Sequence, residues 1–142
     1  MHGYSYGNPA YLIRGCVSLT SLNLPNARTL GGYVLYGCTS LTSLYLPACT
    51  SLDSSAIGAG TPIDTLVLPA ATRCSLNGSL NPNLHIAQGT GHVYVPSSLL
   101  ASYQTANSWS KYAAQFRAIE DWPEVVEAAR LNALSATQGW DD

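Results

Sequence analysis

GCVSLTSLNLPNARTLGGYVLY, residues 15 to 36, is the first of three copies of a 22-residue repeat, and this repeat decides the fold of the chain. The second copy is GCTSLTSLYLPACTSLDSSAIG at residues 37 to 58, and a weaker third copy is AGTPIDTLVLPAATRCSLNGSL at residues 59 to 80. A proline keeps the same offset in every copy: Pro25, Pro47 and Pro69. A fixed period of this length is typical of one supersecondary unit that stacks on copies of itself.

The phrase Leu-x-x-Leu-x-Leu-Pro recurs inside each copy, with Ile63 in its first position in the third copy. Two leucines separated by one residue face the same side of a strand. The proline that follows ends the strand because it cannot donate to a sheet ladder. Small or apolar residues also keep fixed offsets: Ala27, Cys49 and Ala71, then Leu30, Leu52 and Cys74. The sequence therefore predicts short parallel strands with stacked leucine ladders.

A family resemblance lies in GCTSLTSLYLP at residues 37 to 47, preceded by YVLY. This phrase resembles the repeat of the BspA-like bacterial leucine-rich-repeat family, and YLIRGC at residues 11 to 16 resembles the start of that unit. HVYVP at residues 92 to 96, with the aromatic residues that follow it, is similar to the closing strand and helix of such arrays. Those aromatic residues are Tyr103, Trp109 and Tyr112.

The resemblance covers about residues 9 to 119. It implies an α/β repeat fold, a leucine-rich-repeat solenoid with a short parallel sheet of about four coils and a C-terminal helical cap. The usual Phe of the family is replaced by Ile13, Leu35 and Ile57. Residues 75 to 91 lose the period, so we expect an irregular loop there, anchored by Leu84 and Ile86.

Charge changes along the chain, with five charged side chains in residues 1 to 110 and nine in residues 111 to 142. The change indicates a repetitive body at 1–96 and a C-terminal helical cap and tail at 97–142. The sequence of residues 97 to 119 predicts a helix with a break at Asn107 and Ser108. We expect this helix to cover the exposed end of the array.

A second helix is predicted over residues 122 to 136, with Asp121 as its N-cap and Pro123 in its first turn. This helix either packs back on the body or docks on another subunit of a homo-oligomer, because a short amphipathic helix is stabilised by burying one face. The residues predicted to mediate assembly are Trp122, Val125, Val126 and Ala129.

Charged residues are only 10% of the chain, against about 25% in ordinary soluble proteins, and the formal net charge is -2. A nucleic-acid partner is not expected, since it needs clustered Lys and Arg. No run of 18 apolar residues is present, so no membrane span is expected. The first 15 residues lack the pattern of a signal peptide, which indicates either another route or a leader removed from this sequence.

The chemistry-bearing residues do not form a readable catalytic pattern, so the sequence predicts a protein that is not an enzyme and that binds no cofactor or metal. Cys16 and Cys38 are one repeat apart and should stack, either as buried thiols or as a disulfide. His85 and His92 flank the short turn Gly89-Thr90-Gly91, and the sequence contains no G-x-S-x-G elbow.

The outward row of the strands remains as the candidate binding surface. Its members are Thr20, Asn23, Thr42, Tyr45, Thr65, Val67 and Tyr94. Repeat proteins commonly bind through such a surface, although Ser and Thr there can also serve only to solubilise the sheet. The resemblance implies a protein-interaction or adhesion module on a bacterial cell surface or phage virion, with a protein or glycan partner. The alternative is a structural or decoration subunit joined through its C-terminal helix.

Overall fold

The structure is a computed structural model that describes residues 18–31, 35, 38–57, 61–82, 84–132 and 134–135. The predicted stacking of Cys16 on Cys38 and the YLIRGC segment involve positions outside the described residues.

Nine short strands in the described residues form two parallel sheets. They are β1 (Ser21–Asn23), β2 (Thr29–Leu30), β3 (Ser43–Tyr45), β4 (Ser51–Asp53), β5 (Thr65–Val67), β6 (Ser75–Asn77), β7 (His92–Val95), β8 (Phe116–Ala118) and β9 (Leu134–Ser135). The large sheet has the strand order β8-β7-β5-β3-β1-β9, and the small sheet has the order β2-β4-β6. All of these pairings are parallel, which confirms the prediction of parallel sheets in an α/β chain.

The leucine ladder sets the register of the large sheet. Leu22 pairs with Leu44, and Leu44 pairs with Leu66, so the 22-residue sequence period is also the strand register. These three side chains are at most 1% exposed. Because side chains alternate across a strand, the residues on either side of each leucine face away from this core.

The small sheet contains a second ladder, in which Leu30 pairs with Leu52 and Leu52 pairs with Leu76. The sequence prediction placed Cys74 in this ladder, and that prediction was wrong. The third repeat carries two extra residues before its strand, so Leu76 takes the ladder position. Cys74 is buried immediately before the strand instead.

Residues 75 to 91 are more regular than the predicted loop, because they contain β6 and the helix α1 (His85–Gln88). Leu84 and Ile86 are each 1% exposed, which confirms both as anchors. The chain leaves α1 through Gly89, whose φ of 89° is in the left-handed region that favours glycine. Gly91 is required by close packing, since a Cβ there would lie 2.9 Å from the backbone of Asp64.

The predicted helix at 97 to 119 is interrupted. A 3₁₀ turn at Ser97–Leu99 leads into α2 (Leu100–Thr105), and a 3₁₀ segment at Trp109–Gln115 leads into β8. The predicted break is confirmed, with a φ of 70° at Ser108. Phe116 is not helical, because it pairs with Val93 and continues the ladder of the large sheet.

An aromatic cluster formed by Tyr103, Trp109 and Phe116 covers this end of the core, with ring centroids 5.4 to 5.9 Å apart. The cluster also provides hydrogen-bond partners for the backbone N–H and C=O groups of Cys74, the residue just before β6. The Cys74 amide donates to the Tyr103 hydroxyl at 2.6 Å, and the Trp109 indole N–H donates to the Cys74 carbonyl at 2.7 Å. Buried backbone groups need such partners, so the cap is fixed by polar contacts as well as by apolar packing.

Replacing Tyr103 by Phe should destabilise the fold by about 1–3 kcal/mol in urea unfolding at pH 7, because the buried Cys74 amide loses its acceptor. Burial raises the pKa of Tyr103 to about 12. The folded state therefore holds the phenol proton more tightly than the unfolded state, whose pKa is about 10. Wild-type stability should fall as the pH rises from about 10 to 12, and this fall should be smaller in Tyr103→Phe.

Tyr112→Phe is the matched control, because the Tyr112 hydroxyl accepts from the Leu80 amide at 2.9 Å on a half-buried ring. Its effect at pH 7 should be smaller than that of Tyr103→Phe. Equal losses in the two variants would contradict the role assigned to Tyr103.

Candidate binding face

The outward side of the large sheet carries two rows of side chains, one on each side of the buried ladder residues. The hydroxyl row contains Ser21, Ser43 and Thr65, with Thr20 and Thr42 beside it. The aromatic row contains Asn23, Tyr45, Val67 and Tyr94. Parallel strands are spaced about 4.8 Å apart, so neighbouring members of each row recur at about that distance.

The aromatic row is covered by the helix α3 (Pro123–Asn132). Val67 is 0% exposed and Tyr94 is 6% exposed, and they form a second apolar cluster with Val126 and Ala129 of the helix. Tyr45 packs against this cluster while remaining half-buried. The predicted exposure of Val67 and Tyr94 was therefore wrong. These side chains form an apolar strip on the sheet, and burying such a strip under a helix is favourable.

The helix packs back on its own body, which was one of the two alternatives left open by the sequence. Val126 and Ala129 face the sheet and are 8% and 7% exposed, whereas Trp122 and Val125 are 45% and 36% exposed. Thus only Trp122 and Val125, among the four predicted assembly residues, present substantial surface. Leu131 is 63% exposed, and the sequence prediction did not include it.

The chain after α3 adds the strand β9 to the edge of the large sheet. Leu134 pairs with Leu22, and Ser135 pairs with Asn23. The predicted helix over 122–136 was therefore too long, because the chain is extended at β9. This pairing covers the edge of β1, which would otherwise present unpaired backbone groups. The buried side-chain oxygen Oδ1 of Asn23 has no hydrogen-bond partner there, which is a local cost of the arrangement.

The hydroxyl row remains partly accessible. Thr20 is exposed, and Thr42 and Thr65 are half-buried. The Thr42 hydroxyl donates to the Thr20 carbonyl at 3.3 Å, and the Thr65 hydroxyl donates to Oδ1 of Asp64 at 3.0 Å. The side chains are therefore held against the sheet while their oxygens can still accept hydrogen bonds from a ligand.

His92 extends the hydroxyl row, because it pairs with Thr65 at the start of β7. Burial is the main cause that lowers the pKa of His92, Arg117 lowers it further, and Asp64 opposes the change. His92 is therefore neutral at pH 7. From the sequence, His92 was assigned to the flank of the Gly89-Thr90-Gly91 turn and to the predicted closing strand, but not to the outward row, because its spacing from Thr65 does not match the 22-residue period. The repeat period alone could not identify it.

The described residues contain no group of three or more His, Cys, Asp or Glu side chains placed to hold a metal ion. In that same part of the chain, no helix combines the length and the apolar character needed to cross a membrane. The face therefore consists of the hydroxyl row, which is partly accessible, and the aromatic row, which lies beneath α3.

Comparisons with protein-family models, curated proteins and solved structures find no match to this chain. The resemblance to BspA-like repeats stays a prediction that depends on the sequence motifs.

Val126→Asp should loosen α3 from the sheet, because it places a carboxylate in the cluster with Val67 and Tyr94. We expect faster amide hydrogen exchange over residues 123 to 132 and a loss of stability of about 1–3 kcal/mol. The adjacent substitution Val125→Asp is the matched control, since Val125 is 36% exposed and the same change should have little effect. Equal protection of α3 in both variants would contradict the packing described for the helix.

Proposed function

We propose that this chain is a BspA-like leucine-rich-repeat solenoid that acts as a non-enzymatic interaction or adhesion module on a bacterial surface or phage particle. Support for the architecture comes from the coincidence of the 22-residue period with the register of β1, β3 and β5. The bacterial or phage setting is supported only by the resemblance of the repeat motif to that family.

The observation that carries the binding proposal is the accessible hydroxyl row in strand register. Oxygens repeated at the strand spacing can hydrogen-bond to a partner that itself presents repeated polar groups. The partner is a neutral protein or glycan surface, since the chain has few charges and His92 at the end of the row is neutral at pH 7. This contact is local, and its hydroxyls are uncharged with the Asp64 carboxylate beside Thr65, so it does not depend on long-range electrostatic steering.

Thr42→Lys should weaken binding to bacterial cells by at least about tenfold, because the longer charged side chain disrupts the hydroxyl row. Thr50→Lys is the matched control on the small sheet. Both threonines donate to a carbonyl 22 positions earlier, Thr42 to Thr20 at 3.3 Å and Thr50 to Arg28 at 3.1 Å. Wild type and Thr50→Lys should bind alike. Equal binding by all three proteins would reject the hydroxyl row as the binding surface.

The same cell-binding measurement can separate the two partner classes. Protease treatment of the cells should abolish binding to a protein, whereas periodate oxidation should abolish binding to a glycan. In either case, wild-type affinity should change less than about twofold between low and high salt, because few charges take part. A steep loss of affinity with added salt would contradict a neutral partner.

A self-assembling or decoration subunit is the second candidate, favoured by the exposed apolar side chains in and immediately before α3. Trp122, Val125 and Leu131 are the large exposed hydrophobic residues in the described part of the chain. Leu131 also lines a shallow groove with Pro123, Glu124, Glu127 and Ala128. Assembly through the groove at Leu131, which lies on the helix face roughly opposite Val126 and Ala129, would leave the contacts of those two residues with the sheet in place.

Assembly predicts that sedimentation velocity will show concentration-dependent oligomers of the wild-type chain. The double variant Trp122→Glu/Leu131→Glu should dissociate them, because it introduces carboxylates into the exposed apolar surface. Thr50→Lys, on the small sheet, should assemble like wild type. A wild-type monomer at all concentrations would reject this alternative. Point variants are preferable to deletion of the tail, which would also uncover Tyr94 and the edge of β1.

A further inference from the structure

Two buried cysteines meet across neighbouring strands of the small sheet. The Sγ atoms of Cys49 and Cys74 are 3.5 Å apart, and each residue is 1% exposed. Cys49 lies just before β4, and Cys74 lies just before β6. Their positions are fixed by the parallel pairing of these strands, in which Ser51 is opposite Ser75. A disulfide has an S–S distance of about 2.05 Å, so the sulfurs must approach by only about 1.5 Å.

The contacts that these thiols make in the reduced protein are weak. Cys49 Sγ lies 3.4 Å from the Ser51 carbonyl oxygen, and Cys74 Sγ lies 3.6 Å from the Ser75 carbonyl oxygen. The Cys74 thiol also donates towards the Cys49 sulfur. Thiols are weak donors, so losing these contacts on oxidation removes little stabilisation.

We propose that Cys49 and Cys74 form a structural disulfide between neighbouring repeats when the chain folds in an oxidising medium. The oxidant is a low-molecular-weight disulfide. The Cys49 thiolate attacks one sulfur of that disulfide, which forms a mixed disulfide and releases one thiolate. Cys74 loses its proton to solvent and attacks the Cys49 sulfur, which releases the second thiolate. The two protein thiols are oxidised to one disulfide, and the small disulfide is reduced to two thiols.

The two cysteines are suited to different roles in this exchange. The hydrogen bond from Cys74 lowers the pKa of Cys49, whereas that bond and burial raise the pKa of Cys74. Attack by Cys49 therefore comes first once the two sulfurs are in contact in the folding chain. Because both sulfurs are buried in the folded protein, the exchange is fastest during folding, before the aromatic cap closes over Cys74.

The disulfide would strengthen the attachment of the cap. The backbone of Cys74 is bonded to Tyr103 and Trp109, so a bond from Cys74 to Cys49 ties this attachment point to the second repeat. A cross-link between positions 49 and 74 also restricts the unfolded chain, which is the main source of disulfide stabilisation in the chain-entropy account. This proposal does not depend on the proposed binding function.

The test is refolding of the full chain in a mixture of reduced and oxidised glutathione, followed by alkylation and tryptic mass mapping without reductant. Cleavage after Arg28, Arg73 and Lys111 places Cys49 in peptide 29–73 and Cys74 in peptide 74–111. The expected product is a covalent pair of these peptides, lighter than their summed masses by about 2 Da because two hydrogens are lost.

Cys38 shares peptide 29–73 with Cys49, so two variants assign the bond. The linked pair should persist in Cys38→Ala and disappear in Cys49→Ala. Oxidation should raise the melting temperature of Cys38→Ala by roughly 5–10 °C, while the double variant Cys38→Ala/Cys49→Ala should not respond to the redox state. Absence of the linked pair from wild type, or its survival in Cys49→Ala, would overturn the proposal.

Discussion

The structure depends on stacking identical leucine positions at the spacing of parallel strands. Leu22, Leu44 and Leu66 form one continuous buried column, and each leucine needs the neighbouring repeat to complete its burial. A column of this kind has two ends and two outer sheet faces that the repeats themselves do not cover. The C-terminal part of the chain covers three of these surfaces. The aromatic cluster around Tyr103 covers one end of the core, α3 covers part of the outer face of the large sheet, and β9 pairs with the edge strand β1.

The same C-terminal part limits which surfaces can interact with a partner. α3 buries Val67 and Tyr94, so the hydroxyl row is the accessible part of the predicted face. The helix cannot use Val126 and Ala129 for assembly while they contact the sheet, which leaves the exposed residues Trp122, Val125 and Leu131. The two proposed interactions therefore involve different surfaces, and each surface can be changed without unfolding the ladder.

The sequence predicts the ladder well because a periodic pattern directly encodes a repeated contact. Prediction fails where the period changes: two extra residues before β6 put Leu76 rather than Cys74 into the small ladder. It also fails at Phe116, whose spacing fits a helix while its neighbour in space is Val93. The candidate face could be located from the alternation around Leu44. The helix that covers it could not, because Val126 and Val67 belong to one cluster but lie in distant segments that share no repeat.

The covering of the face combines apolar burial with one unsatisfied polar atom. The buried Asn23 oxygen beside β9 lacks a partner, which costs about 1–3 kcal/mol. Full burial of a side chain such as valine contributes about 1.5–3 kcal/mol, and both Val67 and Val126 are almost completely buried in the second cluster. Tyr94 adds a large apolar ring to the same cluster. The apolar gain is larger than the single polar loss, and the remainder acts against the conformational entropy lost when α3 and β9 are ordered.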